Sequence, residues 1–164
     1  MSSQNPRGPE SAGVSAVLAL VLATIGFFAL AVFGLGAVSV ATDRDIISVP
    51  GLGPVPGAVG MLAAVLVFAL GLGVALRRSP ATTFLSVPGI ALATALAHLA
   101  ALWIGVAVAS GDLIVATAVA GGLVVGGPSA VMLGAAAIAA WGGIALRRTK
   151  AEHPQWPWER DDDE

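Results

Sequence analysis

The sequence predicts an all-α membrane protein with four transmembrane helices. Three observations carry that reading. Hydrophobic residues make up 57% of the 164-residue chain and charged residues 11%, with a mean hydropathy of +0.90. Soluble domains carry about a quarter charged residues, so a chain this poor in charge could not cover a globular surface with polar groups. The charges that exist bound four runs, Val14–Thr42, Ile46–Leu76, Ser79–Gly111 and Leu113–Leu146, which are uncharged apart from His98. Each exceeds the roughly 20 apolar residues that a spanning helix needs. Finally, two of the runs end in the same way, "ALRRSP" at Ala75 and "ALRRTK" at Ala145.

Breakers trim the runs to spans. Residues 1–12 read as a disordered cytoplasmic head, and the first span covers about 13–41. It is far longer than the apolar stretch of a signal peptide, so cleavage after "SVA" at Ser39 is not expected. The second run opens with "SVPGLGPVPG". Such a proline cluster excludes regular helix, which places the second span at about 57–76. The third span covers about 83–109. In the fourth run "AGGLVVGGPS" is again a breaker cluster, leaving a span at about 129–146. The apolar stretch 113–125 is too short to cross and suits an interfacial or re-entrant segment. Residues 147–164 form an arginine, tryptophan and acidic tail.

The basic residues set the orientation. With four spans and a cytoplasmic N-terminus, Arg7, Arg77, Arg78, Arg147, Arg148, Lys150 and Arg160 are cytoplasmic; only Arg44 is outside, flanked by Asp43 and Asp45. The positive-inside rule selects that arrangement, a multi-pass protein of the cell membrane with both termini cytoplasmic. A fifth span would put the tail charges outside. Arg77, Arg78, Arg147, Arg148 and Lys150 are therefore read as topology anchors, able to meet anionic headgroups. A specific phosphate or lipid site there is the less favoured reading.

The recurrence extends beyond the anchors. "PGAVGMLAAV" at Pro56 resembles "PSAVMLGAAA" at Pro128, and "GAVSVATD" at Gly36 resembles "GVAVASGD" at Gly105. Each half then reads as helix, acidic exit, Pro/Gly loop, helix and Arg-Arg, as in two tandem parallel hairpin repeats. Apolar low-complexity sequence aligns with itself easily, and that explanation stays open. Small residues recur every fourth position in the third span, at Ala93, Ala97, Ala101, Gly105 and Ala109, and "GAAAIAAWGG" at Gly134 is equally lean. In lipid, small faces let helices approach closely, so these two spans are expected to pack on each other or on a second copy.

Candidate chemistry is sparse. No cysteine is present and histidine occurs twice, at His98 and His153, so no metal site, cofactor or thiol chemistry is expected. His98 is the one ionisable side chain inside a span, with Thr94 one turn before it on the same face. An intramembrane ionisable residue raises a relay or solute site. No acid, lysine or second histidine shares that depth, so an interhelical hydrogen bond to backbone or threonine is favoured. Asp43, Arg44 and Asp45 open the first external loop, as either a binding loop or a solvated turn. The tail, "AEHPQWPWERDDDE", sets Trp156 and Trp158 two apart on a segment stiffened by Pro154 and Pro157, which suits docking to a protein partner or to the membrane interface, with plain disorder the third reading. No nucleophile arrangement, phosphate loop or nucleic-acid site is evident, so an enzyme is not expected.

At "DRDIISVPGLGP" after the first span and "PQWPWE" in the tail, the chain resembles a family of small, uncharacterised four-span integral membrane proteins from actinobacteria, over nearly its whole length. That family has no known activity, so the resemblance carries over no site residue and implies only an actinobacterial cell membrane. Small multidrug exporters also have four spans, but their mechanism needs a carboxylate in the first span, and Val14–Thr42 contains none. The expected function is a structural or accessory membrane component in contact with the lipid bilayer, docking a partner through its tail or self-associating through its small-residue faces. The alternative is a small transporter or channel using His98.

Overall fold

A computed structural model describes residues 14–43, 53–78 and 84–148. The head, Arg44, Asp45, Lys150, Trp156 and Trp158 lie outside the described residues.

Five helices follow in order: α1 Ala16–Thr42, α2 Val55–Arg78, α3 Ser86–Ser110, α4 Leu113–Val125 and α5 Pro128–Arg148. All but α4 are long and apolar enough to cross a membrane. The spans expected from sequence are present, with ends shifted by a few residues. Prolines account for two of the shifts. Pro56 lies inside the first turn of α2 and Pro128 opens α5. Proline is tolerated there because first-turn N–H groups have no intrahelical acceptor to lose. The arginine pairs, placed just beyond the spans by sequence, form the last turns of α2 and α5, where positive charge is favoured by the helix dipole.

Local chemistry fixes the other ends. The Ser15 hydroxyl accepts from the Leu18 N–H at 3.1 Å and caps α1. At the far end Asp43 adopts the left-handed conformation, φ 49°, and its N–H reaches the Ser39 and Val40 carbonyls. α3 ends at left-handed Gly111, whose N–H donates to the Ala107 carbonyl at 2.9 Å. Between α4 and α5, Gly127 takes φ 100°, a value that side-chain-bearing residues rarely adopt.

The four long helices form a ring. α2 packs on α3 and α5 on α1 in the two largest contacts. α3–α5 and α1–α2 close the ring, α2 and α5 meet across it, and α1 and α3 do not touch. The core is alanine-rich, with Ala19, Ala23 and Ala31 of α1 facing Ala135, Ala136, Ala139 and Ala140 of α5. Phe27 and Phe68 fill its middle as a stacked pair with centroids 4.7 Å apart.

α4 doubles back on the C-terminal half of α3. Ala116 and Leu123 are buried with Leu102 and Val106, and the Trp103 indole N–H donates to the Thr117 hydroxyl at 3.2 Å. Its 13 residues extend about 20 Å at 1.5 Å per residue, well short of the roughly 30 Å hydrocarbon layer.

α3 and α5 pack on each other, but within one chain Ala93, Ala97, Ala101, Gly105 and Ala109 are not the most buried face of α3: Ala93 and Ala109 are exposed and the others half-buried. The buried face is Ile90, Ala91, Thr94, Ala95, His98, Leu102 and Val106. Its bulk is received by small residues on the neighbours, Gly60 and Gly71 of α2 among them. The lean stretch of α5 is buried, on α3 as expected but chiefly on α1, a partner the sequence did not indicate.

Candidate functional site

The bundle separates charge by end. At one end lie Arg77 and Arg78 of α2 and Arg147 and Arg148 of α5; at the other lie Asp43 and Asp112, the only carboxylates among the described residues. Between them the described core is apolar except for Thr94 and His98, the two buried polar residues.

α3 positions both. They are one turn apart, so they share the face turned into the ring. The Thr94 hydroxyl donates to the Ile90 carbonyl of its own helix at 2.8 Å, which uses its only proton. His98 is 5% exposed. Its ring lies in a slot made by Gly60 of α2, where a Cβ would stand 3.3 Å from both Cε1 and Nδ1. Nδ1 is buried without a hydrogen bond of good geometry, and the Gly60 backbone of α2 is the polar group closest to serving as its partner. No group of three or more His, Asp or Glu converges anywhere among the described residues.

An unpartnered buried polar atom carries a cost of about 1–3 kcal/mol, and replacing it by an apolar group of similar shape can be neutral or better. His98→Leu is accordingly expected to match the wild type in thermal unfolding or exceed it by about 1 kcal/mol. A clear fall in stability would show that imidazole contacts hold α2 to α3.

At the arginine end the last turn of α5 contacts the residues that lead into α1 and α3. Arg147 Nη1 donates to the Val14 carbonyl, just before α1, at 3.4 Å. The Arg148 guanidinium carbon lies 4.5 Å from the centroid of the Phe84 ring, and Phe84 in turn meets Trp141 at 6.3 Å. Sequence reasoning missed this cluster. Its one signal was an aromatic near a span end beside an arginine pair. Arg77 is exposed.

At the aspartate end the carboxylates do structural work. Asp112 Oδ1 accepts from the Ile114 N–H at 2.7 Å and the Val115 N–H at 3.3 Å, capping α4. Asp43 closes α1 through its backbone. Ala101, Gly105 and Ala109, the later part of the α3 stripe, line a groove with Val55, Pro56 and Val59 of α2. Gly105 lies close against α2, since a Cβ there would lie 3.4 Å from Pro56 Cα.

Helices of spanning length, lipid-compatible outer faces and charge held at the two ends define the class: a multi-pass helical membrane protein. Within that class the chain belongs to the Family of unknown function (DUF6121), which it matches over residues 10–164. Neither a curated protein nor a solved structure matches it.

Proposed function

We propose that this protein is a structural or accessory component of the cell membrane, with both termini cytoplasmic, and that it docks a protein partner through its tail and catalyses no reaction. One observation carries the reading: the described interior is filled from end to end by apolar side chains, interrupted only by Thr94 and His98. Such an interior supplies a rigid anchor and offers no polar path for a solute. The groove along the α3 stripe adds a surface on which a second copy could seat. The tail supplies the docking group, because Trp156 and Trp158 are large apolar groups on a proline-stiffened segment, and a stiff segment loses less entropy on binding.

Trp156→Ala combined with Trp158→Ala is expected to leave membrane insertion intact and remove partner recovery in a crosslinking pull-down. Raised salt should weaken that recovery only in part, through the acidic end. Equal recovery by the double variant removes the docking role. The orphaned Nδ1 of His98 favours one second reading, a small transporter or channel. In that case His98→Asn would abolish a proton or solute flux measured in proteoliposomes.

A further inference from the structure

We propose that α4 dips obliquely into the lipid leaflet at the aspartate end, and that its exposed face is a surface for the acyl chains of that leaflet. The inference goes beyond the accessory reading and holds whatever the tail binds.

A helix that lies flat at the interface carries a charged or polar face opposite its apolar one. α4, "LIVATAVAGGLVV", has no charge and one polar side chain, Thr117, whose hydroxyl already accepts from Trp103. No face of it is built for water. Ile114, in its first turn, is 81% exposed and Val125, its last residue, 89%. A large aliphatic side chain gains about 1.5–3 kcal/mol on leaving water, so both ends of that face call for an apolar medium. The helix that α4 packs on supplies the setting. α3 is of spanning length and exposes Ile104 and Val108 in the same half.

Two registers give the depth. α4 starts at the surface, where the exposed Asp112 caps it directly after α3 has ended at Ser110. Leu123, close to its other end, is buried in one cluster with Leu102 and Val106, which lie about 6–12 Å inside the end of α3 at 1.5 Å per residue. The second register comes from α1. A Cβ on Gly34 would run into the Val131 side chain, so the first turn of α5 is level with Gly34, while α1 continues to Thr42. The turn from α4 into α5 therefore lies about 8 Å short of the end of α1. The 27 residues of α1 extend about 40 Å, about 10 Å more than the hydrocarbon layer. The turn then sits just inside the hydrocarbon, near enough to the glycerol level for the exposed backbone at Gly126 to keep its water. Among the described residues, the bundle meets the leaflet at the aspartate end with five helices and the other leaflet with four.

The test uses the full chain in vesicles of phosphatidylglycerol and phosphatidylcholine at high lipid-to-protein ratio. The sequence contains no cysteine, so one nitroxide label at a time can be attached through Ile114→Cys or Val125→Cys, with Ile104→Cys and Val108→Cys as depth markers on α3. All four side chains are exposed, so the labelled chains are expected to fold. Collision with lipid-soluble oxygen against collision with a water-soluble nickel chelate reads the depth of each label. The Val125→Cys label is expected about 10 Å deeper than the Ile114→Cys label and level with the Ile104→Cys marker, with Ile114→Cys level with Val108→Cys. Equal depths for Ile114→Cys and Val125→Cys would lay α4 flat on the surface and overturn the proposal. Predominant collision with the nickel chelate at Val125→Cys would place that end in water and overturn it as well. Loss of collision with both reagents there would mean that a second copy of the chain, not lipid, covers the face, and the lipid surface would be withdrawn.

Discussion

Gly143→Leu is expected to pull α5 off α1 and unfold the bundle, while Gly142→Leu one residue earlier is expected to be tolerated. The contrast comes from what a side chain would meet. A Cβ at Gly143 would lie 2.9 Å from the Ala23 Cβ, 3.1 Å from Leu72 Cδ2 and 3.7 Å from the Ala19 carbonyl oxygen; at Gly142 nothing lies within 4 Å. An alanine Cβ has no rotamer through which to retreat, so the helices themselves must separate. In lipid that separation is costly in a particular way. Both the associated and the separated helices are in apolar surroundings, so helix contact is held by dispersion and backbone proximity, and these fall off steeply with distance. Even Gly143→Ala should cost about 1–3 kcal/mol through overpacking, against a gain of about 1 kcal/mol in helix propensity. Gly142→Ala should show the gain alone. Thermal or denaturant unfolding in detergent checks both pairs. Equal melting of the Gly142 and Gly143 variants would mean that the α1–α5 contact does not limit stability.

The orientation gives the second large effect, because a reporter is either exported or not. A periplasmic reporter inserted near Gly53 should be active, and one fused after Lys150 should be inactive. The basis is the end-to-end separation of charge: Arg77, Arg78, Arg147 and Arg148 at one end, Asp43 and Asp112 at the other, with all other basic residues except Arg44 predicted on the arginine side. Activity after Lys150 would require an odd number of crossings. That would mean α4 passes through the membrane although it is about 20 Å long.

The sequence by itself determined the four long helices, their approximate ends and the end of the bundle at which each described charge lies. Those properties are one-dimensional. An uncharged run longer than a bilayer, a proline cluster and an arginine pair can each be read without knowing what they touch. The central position of His98 was legible for the same reason.

What the helices present to each other was decided only by the tertiary structure. In a soluble helix the apolar stripe points to the core, but in lipid every face is apolar, so periodicity no longer separates protein-facing from lipid-facing positions. The stripe of small residues along α3 therefore reads equally as a face for α5 or for a second copy. The structure instead buries Ile90, Thr94, His98, Leu102 and Val106, because Gly60 and Gly71 of α2 give those larger side chains room. The same holds for the orphaned Nδ1 of His98, whose environment is set by Gly60, distant in sequence. It holds also for Phe84, Trp141 and Arg148, which come together only where α5 closes the ring beside the start of α3. A hydrogen bond or a stacked cation depends on distances of a few ångströms between segments far apart in the chain, and helix–helix packing alone sets those distances.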